Sequence, residues 1–468
     1  MSEPRTWLPD PSHYPEQMTP LSATTWFEAM GTGVHAAARE LRMPFGGFRT
    51  RLELGWAYEG ELEPEWDPDR AVVEAAARAL PERWERELRP HVLEINAELE
   101  SLRPELPPDA TPVLDRLWEL VQEEWTIHFL VVIPALVASE LAEPEQLVGL
   151  ESPADDAVWD LADAARREGV DDVIRDFSAA AALERLRATQ PGRRFLRELE
   201  AFLARYGGRS RWHELSLPRE AEQPWLTLEA VRLTLDAPQR PSRAGAPAGA
   251  DETLRAAYAL KELHTYDIDY PGLLATRDAL RGFGRRLVGE GLLDEVDDVW
   301  LLDREELRRA LTETLDLRAL VAGAREERAR GLAEGVQPFL GDPPEERERD
   351  SIIEGFYGSG GNGLSGAGAS PGVAEGVARV VAGQSDFARI QSGDILVTTT
   401  TTPAWTPLFP SLAGLVTETG GILCHAAVVA REYGLPAVVG ASGATSAIQD
   451  GARIRIDGGS GAISIIAS

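Results

Sequence analysis

The sequence is almost without cysteine and lysine. Cys424 is the single cysteine among 468 residues, so no disulfide can form within the chain and nothing in the sequence requires an oxidising compartment. Lys261 is the single lysine, and all other basic side chains apart from histidine are arginines. A general replacement of lysine by arginine explains this composition, and a lysine retained for catalysis is the alternative.

Positive charge is scarce as well. The chain has 47 Lys and Arg residues against 77 Asp and Glu residues, which gives a net charge of −30. A chain this acidic is not expected to bind nucleic acid or an anionic membrane surface. The first residues lack a signal-peptide pattern, and no uninterrupted apolar run approaches the ~18 residues of a membrane helix. We therefore predict a cytoplasmic protein.

Apolar periodicity predicts a mainly helical first part. In residues 81–102 apolar side chains recur every three or four positions, and Pro81 fits the start of such a helix. Residues 193–206 repeat the pattern, and residues 113–137 are apolar nearly all round, which is typical of a central buried helix. Residues 48–59 alternate like a strand or hairpin. Together these patterns predict a helical module over residues 1–354.

The composition changes near residue 355. Residues 355–368 are dominated by glycine and are predicted to form a flexible hinge. A phosphate-binding loop is the alternative, but it would need a strand before it and a helix directly after it. Short β-type runs follow, with one helix candidate at about residues 423–433. The fold class predicted is α+β, with a small C-terminal β/β/α domain over residues 369–468.

The stretch from Thr417 to Gly440 carries the chemistry. A strand ends at Thr417, a Gly420-Gly421 turn follows, and a helix begins close to His425. The first N–H groups of a helix have no intrahelical partners and favour an anion. A neutral histidine placed there can accept a phosphoryl group while N–H groups and the Thr417 or Thr419 hydroxyls hold the oxygens. A capping or packing histidine is the other interpretation of the position.

The same stretch resembles the phosphohistidine swivelling domain of the phosphoenolpyruvate-utilising enzymes. The matching positions are Thr417, Gly420, Gly421, Cys424, His425, Ala427, Ala430, Arg431, Glu432, Gly434, Pro436 and Gly440. The resemblance implies that His425 is the phosphorylated residue, with Thr417, Thr419, Gly420, Gly421, Cys424 and Arg431 around the phosphate. Cys424 stands where serine is more frequent, and a thiol is the weaker hydrogen-bond donor. The phosphate is then expected to rely more on backbone groups.

The first part is similar, more weakly, to the substrate-binding region of rifampin-phosphotransferase-like proteins. This resemblance implies a small-molecule pocket in the helical module. The residues predicted to line it are Trp125, His128, Arg209, Arg211 and His264. Each also has an ordinary structural explanation, since histidines and arginines of helical proteins mostly serve packing and ion pairs.

Two expected domains have no counterpart in the sequence. We find neither the ATP-grasp domain that phosphorylates the histidine nor the (β/α)₈ barrel that binds phosphoenolpyruvate in some relatives. The expectation is therefore that a separate ATP-grasp protein supplies the phosphoryl group, using ATP and Mg²⁺, while this chain binds no cofactor and no metal of its own. Two other hypotheses remain: a stand-alone lyase or cyclase with His425 as general acid or base, and a regulatory relative without catalysis.

Overall fold

The computed structural model describes residues 3–10, 13–102, 106–142, 147, 153–208, 214–236, 249–343, 364–401, 403–422 and 424–467, and it describes His425 by its backbone. These residues form two compact units. The first unit comprises Met1–Glu143, Trp212–Leu217 and Asp251–Glu348, and the second comprises Pro144–Arg211, Pro218–Ala250 and Arg349–Ser468. Parts of the predicted helical module therefore belong to both units.

The first unit is mostly helical. Its helices are α1 Pro20–Ser22, α2 Glu28–Glu40, α3 Arg70–Arg83, α4 Arg89–Ser101 and α5 Thr111–Leu141. The second unit contributes α6 Pro153–Glu168, α7 Asp171–Asp176, α8 Ala179–Ala188, α9 Gln190–Tyr206 and α10 Pro224–Asp236. The chain then returns to the first unit with α11 Glu252–Asp267, α12 Asp269–Gly289, α13 Arg304–Ala310 and α14 Leu317–Glu334. The predicted helices at 113–137 and 193–206 are confirmed by α5 and α9.

Helix α5 is the centre of the first unit. It packs against α2, α3 and α11, and its buried side chains lie on all sides, as its sequence predicts. By length and composition α5 could cross a membrane, with a mean hydropathy of 1.4 over its most apolar 18-residue window. Yet 72% of that window is buried inside the protein, and the core helix of a soluble protein passes the same test.

The helix predicted to start at Pro81 starts earlier. Pro81 lies inside α3, which begins at Arg70 with Asp69 as its N-cap. A π-helical segment, Trp84–Leu88, joins α3 directly to α4. Pro81 and Pro90 flank this segment, and each removes one backbone donor from the helical ladder. The buried stripe of Trp84, Leu88, Val92, Ile95 and Leu99 is present as predicted, so tertiary packing keeps the chain helical through both prolines.

A small sheet completes the first unit. Its strands are β1 Thr6–Pro9, β2 Phe48–Glu53, β3 Trp56–Glu61 and β4 Leu340–Gly341, in the order β2-β3-β1-β4. The hairpin of β2 and β3 is the predicted one, with Phe48 opposite Glu61 and Glu53 opposite Trp56.

The second unit contains a seven-stranded mixed sheet. Its strands are β5 Ala367–Ser370, β6 Val373–Val380, β7 Ile395–Thr398, β8 Gly414–Thr417, β9 Ala437–Val439, β10 Arg453–Asp457 and β11 Ala462–Ala467, in the order β11-β10-β6-β7-β8-β9-β5. Strands β6 to β9 pair in parallel, whereas β10 and β5 pair antiparallel to the strands beside them. Helices α15 His425–Tyr433 and α16 Ala444–Ala447 follow β8 and β9. The predicted architecture, a helical module with a C-terminal strand-rich domain, is confirmed.

The predicted hinge lies mostly outside the described residues. Residues 355–363 are among those not described, while Ala367 and Gly368 belong to β5 and pair with Val439 and Val438. The glycine-rich composition hid this strand from the sequence analysis. The hinge itself stays a prediction.

Alternation along the central strands produces two apolar layers. Leu396, Leu415 and Ala437 face one layer, which also contains α15 and the 3₁₀ segment Pro403–Ser411. Ile395, Val397 and Val416 face the other layer, together with residues of β10 and α16. Leu233 of α10 joins the first layer beside Trp405 and Leu408. The sheet is therefore covered on both faces. A ligand can reach it at the ends of its strands.

Candidate functional site

The carboxyl ends of β7, β8 and β9 form one edge of the parallel part of the sheet. In open sheets with parallel strands, ligands bind outside such an edge. The loop after β8 runs from residue 418 to 424 and leads directly into α15. This is the stretch in which the sequence predicts the phosphoryl carrier.

Backbone hydrogen bonds fix the start of that loop. Glu418 N–H donates to the carbonyl of Thr398 over 3.0 Å, and Thr419 N–H donates to the carbonyl of Thr399 over 3.0 Å. The Thr419 hydroxyl donates to the same Thr399 carbonyl, also over 3.0 Å. The loops after β7 and β8 are thereby held together.

His425 is the first residue of α15. Cys424 is the N-cap, with extended backbone at φ −69° and ψ 164°, and its N–H donates to the carbonyl of Gly421 over 3.1 Å. The first intrahelical bond runs from Val428 N–H to the Cys424 carbonyl over 3.1 Å. The N–H groups of residues 425–427 precede this bond, so they are the ones that a helix start offers to an anion. The helix ends at Gly434, which has the left-handed φ of 61° expected of a helix-terminating glycine.

Gly420 allows the turn before the helix. Its φ is +92°, a region that side chains disfavour, and a Cβ there would lie 2.7 Å from Cys424 Sγ and 2.9 Å from Cys424 Cβ. The close approach of the two residues therefore requires glycine at position 420.

The predicted phosphate-binding side chains lie around this turn, and their hydrogen bonds are local. The Thr417 hydroxyl donates to the carbonyl of Thr419 over 2.8 Å, and the Thr419 hydroxyl donates to the carbonyl of Thr399 over 3.0 Å. Arg431 Nε donates to the carbonyl of Ala427 over 3.1 Å, and its guanidinium also donates to the carbonyl of Ile422. The Arg431 charge is thus held against the residues that precede His425. That these groups bind a phosphoryl group stays a prediction.

Two further side chains at this edge escaped the sequence analysis. Glu418 Oε1 accepts hydrogen bonds from Thr445 N–H over 2.8 Å and from the Thr445 hydroxyl over 2.6 Å, so it braces the loop against α16. The Thr401 hydroxyl is buried, and among the described residues it has no hydrogen-bond partner. Neither residue has a sequence signal of its own, because the threonine-rich run 398–402 resembles an ordinary strand end.

A second group of side chains lies in the first unit. His128 of α5, His264 of α11 and Asp269 of α12 approach one another, and we call them the His128 cluster. His128 Nδ1 lies 2.8 Å from Asp269 Oδ1 and 3.2 Å from His264 Nε2. Trp125 borders the cluster, with its ring centroid 4.7 Å from that of His128. Three of the five residues predicted to line a pocket are therefore neighbours, whereas Arg209 and Arg211 lie outside the described residues.

Burial determines the charges near the cluster. His264 is 3% exposed, and burial, partly opposed by the charge of Asp269, lowers the pKa of His264 to about 4, so the ring is neutral near pH 7. Glu124, one turn before His128 on α5, is 1% exposed. Burial, followed by the negative charge of Asp269, raises the pKa of Glu124 well above its usual value. Glu124 also escaped the sequence analysis.

Comparison with protein families agrees with the geometry of the second unit. Residues 390–461 match the family model described as PEP-utilising enzyme, mobile domain. The matched range contains β7, β8, the glycine turn and α15. This chain carries a PEP-utilising mobile domain. Residues 149–269 match the model described as rifampicin phosphotransferase fourth domain.

Individual relatives match different shares of the chain. Rifampicin phosphotransferase of Bacillus cereus is 41% identical over 194 residues, which cover 41% of this chain and 21% of the relative. Chondramide synthase cmdD of Chondromyces crocatus is 30% identical over 545 aligned positions, which cover 98% of this chain and 14% of the relative. A probable phosphoenolpyruvate synthase of Archaeoglobus fulgidus is 46% identical over 100 residues, which cover 21% of this chain and 13% of the relative. The chain thus spans a small part of each of these proteins.

Proposed function

We propose that this chain is a phosphotransferase component in which His425 carries a phosphoryl group to a small molecule bound by the helical module. A separate ATP-grasp protein supplies the phosphoryl group and brings ATP and Mg²⁺. The protein works in the cytoplasm. The observation that carries the proposal is the position of His425 as the first residue of α15, directly after the glycine turn of a mobile domain.

The chemistry suits that position. An imidazole nitrogen attacks the phosphorus of the donor, a nitrogen–phosphorus bond forms, and the donor leaves with its bridging oxygen. The added oxygens meet the first N–H groups of α15, which offer hydrogen bonds without a prior partner. In the second step an acceptor hydroxyl attacks the phosphorus, the nitrogen–phosphorus bond breaks, and the hydroxyl proton passes to the freed imidazole.

The acceptor belongs to the helical module in this proposal. Two observations support that assignment: the similarity of residues 149–269 to a rifampicin phosphotransferase domain, and the polar cluster bordered by Trp125 in an otherwise apolar helix bundle. Relatives named rifampicin phosphotransferase make a hydroxyl-bearing organic molecule the first class of acceptor to test.

An experiment with two phosphoryl donors tests the role of His425 separately from the role of the ATP-grasp protein. The purified chain is incubated with phosphoramidate, a small chemical donor, and in parallel with ATP, Mg²⁺ and an ATP-grasp protein. Peptide mass spectrometry then locates the phosphoryl group. We expect one acid-labile phosphoryl group on His425 in both reactions, its absence in His425→Ala, and its retention in His91→Ala, which changes an exposed histidine of the first unit.

The alternatives give different results. Labelling that survives in His425→Ala would overturn the carrier assignment. Labelling by phosphoramidate without labelling by any ATP-grasp protein would overturn the proposed source and leave the carrier intact. Turnover of a substrate without nucleotide or phosphoryl donor, lost in His425→Ala, would instead favour the lyase or cyclase hypothesis.

A further inference from the structure

Two lone pairs of the His128 cluster converge on one ring nitrogen of His128. His264 Nδ1 lies 2.7 Å from the carbonyl of Leu260, which can only accept, so Nδ1 carries the proton and Nε2 presents a lone pair. That lone pair and Asp269 Oδ1 both face His128 Nδ1, at 3.2 and 2.8 Å. A single proton on His128 Nδ1 can point at only one of these two atoms at a time. A cation at the same point would be shared by all three atoms.

The separation of the two imidazole nitrogens fits a small divalent ion. Zinc binds imidazole nitrogen at about 2.0–2.1 Å, so two ligands of a tetrahedral site lie about 3.3 Å apart. The two imidazole nitrogens are 3.2 Å apart, and the carboxylate of Asp269 lies 2.8 Å from one and 3.7 Å from the other. The ligand atoms of all three residues lie within 4.8 Å of one another.

The surroundings of the cluster are those of an oriented ligand set. The bond from His264 Nδ1 to the Leu260 carbonyl fixes the ring, as the outer hydrogen bond of a metal-bound histidine does. The side chains of His264 and Asp269 are 3% and 9% exposed, while that of His128 is 15% exposed and leaves a path from solvent.

Glu124 provides an independent observation. Both of its carboxylate oxygens are buried and, among the described residues, without a hydrogen-bond partner. A Cβ on Gly272 would lie 1.7 Å from Glu124 Oε1, so the carboxylate lies against α12 one turn after Asp269. Protonation removes the charge of such a group, but its buried oxygens still lack hydrogen bonds, which is costly in a folded protein and which a ligand would compensate.

We propose that His128, His264 and Asp269 bind one divalent transition-metal ion of the zinc type, and that the buried carboxylate of Glu124, one turn before His128 on α5, accepts a hydrogen bond from a metal-bound water. Imidazole nitrogens favour zinc, copper and nickel over magnesium and calcium, which prefer oxygen ligands. The sequence predicts no metal site, because His264 and Asp269 lie 136 and 141 residues after His128 along the chain. This proposal does not depend on phosphoryl transfer by His425.

Metal binding is tested directly on the full chain. Protein dialysed against EDTA is titrated with Zn²⁺ by calorimetry, and with Co²⁺ by visible absorption, which reports a four-coordinate site. We expect one ion per chain in the wild type. His128→Ala and Asp269→Asn should weaken Zn²⁺ binding about a hundredfold or more, and Mg²⁺ should not compete.

A matched control and a folding check make the result decisive. His91 Nε2 lies 3.5 Å from Glu123 Oε2 on an exposed surface, so His91→Ala removes another histidine beside a carboxylate and should bind Zn²⁺ as the wild type does. Circular dichroism shows whether each variant is folded, and His264→Gln replaces any variant that is not. A wild type without stoichiometric Zn²⁺, or equal binding in folded Asp269→Asn, would overturn the metal site.

Discussion

At the scale of single residues, Gly420 sets the geometry of the glycine turn that precedes His425. Gly420→Ala would place a Cβ 2.7 Å from Cys424 Sγ at a φ of +92°. We expect a loss of stability of about 1–2 kcal/mol from the backbone conformation. Displacement of Cys424 should also lower phosphoryl incorporation at His425 by about tenfold or more. The rate of labelling by phosphoramidate measures this effect.

Gly443→Ala is the control for that substitution. Gly443 has a φ of +79°, and a Cβ there would meet nothing within 4 Å. The variant should therefore show a similar loss of stability with normal labelling. Equal labelling in both variants would mean that the contact between Gly420 and Cys424 does not position the helix start.

Asp10 and His13 form a pair whose contribution to stability depends on pH. His13 Nδ1 lies 2.8 Å from Asp10 Oδ2, and His13 N–H donates to Asp10 Oδ1 over 3.1 Å. Burial opposes the charge of His13, but the charge of Asp10 and the hydrogen bond outweigh it and raise the pKa of His13. Burial likewise opposes the charge of Asp10, but the charge and hydrogen bonds of His13 lower the pKa of Asp10.

The sign of each shift defines the pH window. A raised histidine pKa stabilises the fold fully below about pH 6.5, and this is lost as the pH rises through the folded-state value. A lowered aspartate pKa stabilises it above about pH 4, and this is lost as the pH falls through the folded-state value. Asp10→Asn should thus cost most, about 2 kcal/mol, between these limits. Urea unfolding across the pH range measures it, and a cost independent of pH would contradict the ion pair.

At the scale of elements, the crossing of α2 and α5 holds the helix that carries His128. A Cβ on Gly33 would lie 2.6 Å from the backbone carbon of Trp125 and 2.7 Å from its Cβ. Gly33→Ala should push the helices apart and lower the free energy of unfolding by about 1–3 kcal/mol. Thermal unfolding followed by circular dichroism measures the loss.

Gly323→Ala, on another helix, should stabilise the protein, whereas Gly33→Ala should destabilise it. Gly323 lies in α14, and a Cβ there would meet nothing within 4 Å. Gly323→Ala should stabilise the protein by up to about 1 kcal/mol, because alanine favours the helix. If Gly33→Ala were also stabilising, the two helices would not be in close contact at this point.

The elements that could be predicted are those that local sequence determines. The spacing of apolar residues within each helix predicts α5 and α9, and the Gly420-Gly421 turn predicts the start of α15. The prediction that a helix starts at Pro81 was wrong, because proline usually marks a helix start. Here the burial of apolar side chains on both sides of Pro81 keeps the chain helical through it. Strand β5 was missed because alanine and glycine give no strand signal. His128 and His264 were each predicted from the sequence, but only the packing of α5, α11 and α12 shows that they meet each other and Asp269.

At the scale of the molecule, the mobile domain is packed against α10 within the second unit. Leu233, 4% exposed, shares an apolar layer with Trp405 and Leu408. Leu233→Ala should destabilise this packing by about 2–5 kcal/mol and speed hydrogen exchange in the segment Pro403–Ser411. Leu332→Ala, at a position 66% exposed, is the control and should leave that exchange unchanged. Unchanged exchange in Leu233→Ala would show that α10 does not hold the domain.

The single lysine has a consequence for chemical studies of this protein. Lys261 is 8% exposed, pairs with Glu262 Oε1 at 2.9 Å and lies one turn before His264. An acylating reagent or an amine crosslinker therefore meets one side-chain target in the whole sequence, and that target is shielded while α11 is folded. The rate at which Lys261 is modified would therefore report how often this helix opens. Mass spectrometry of one peptide would measure that rate without any engineered label.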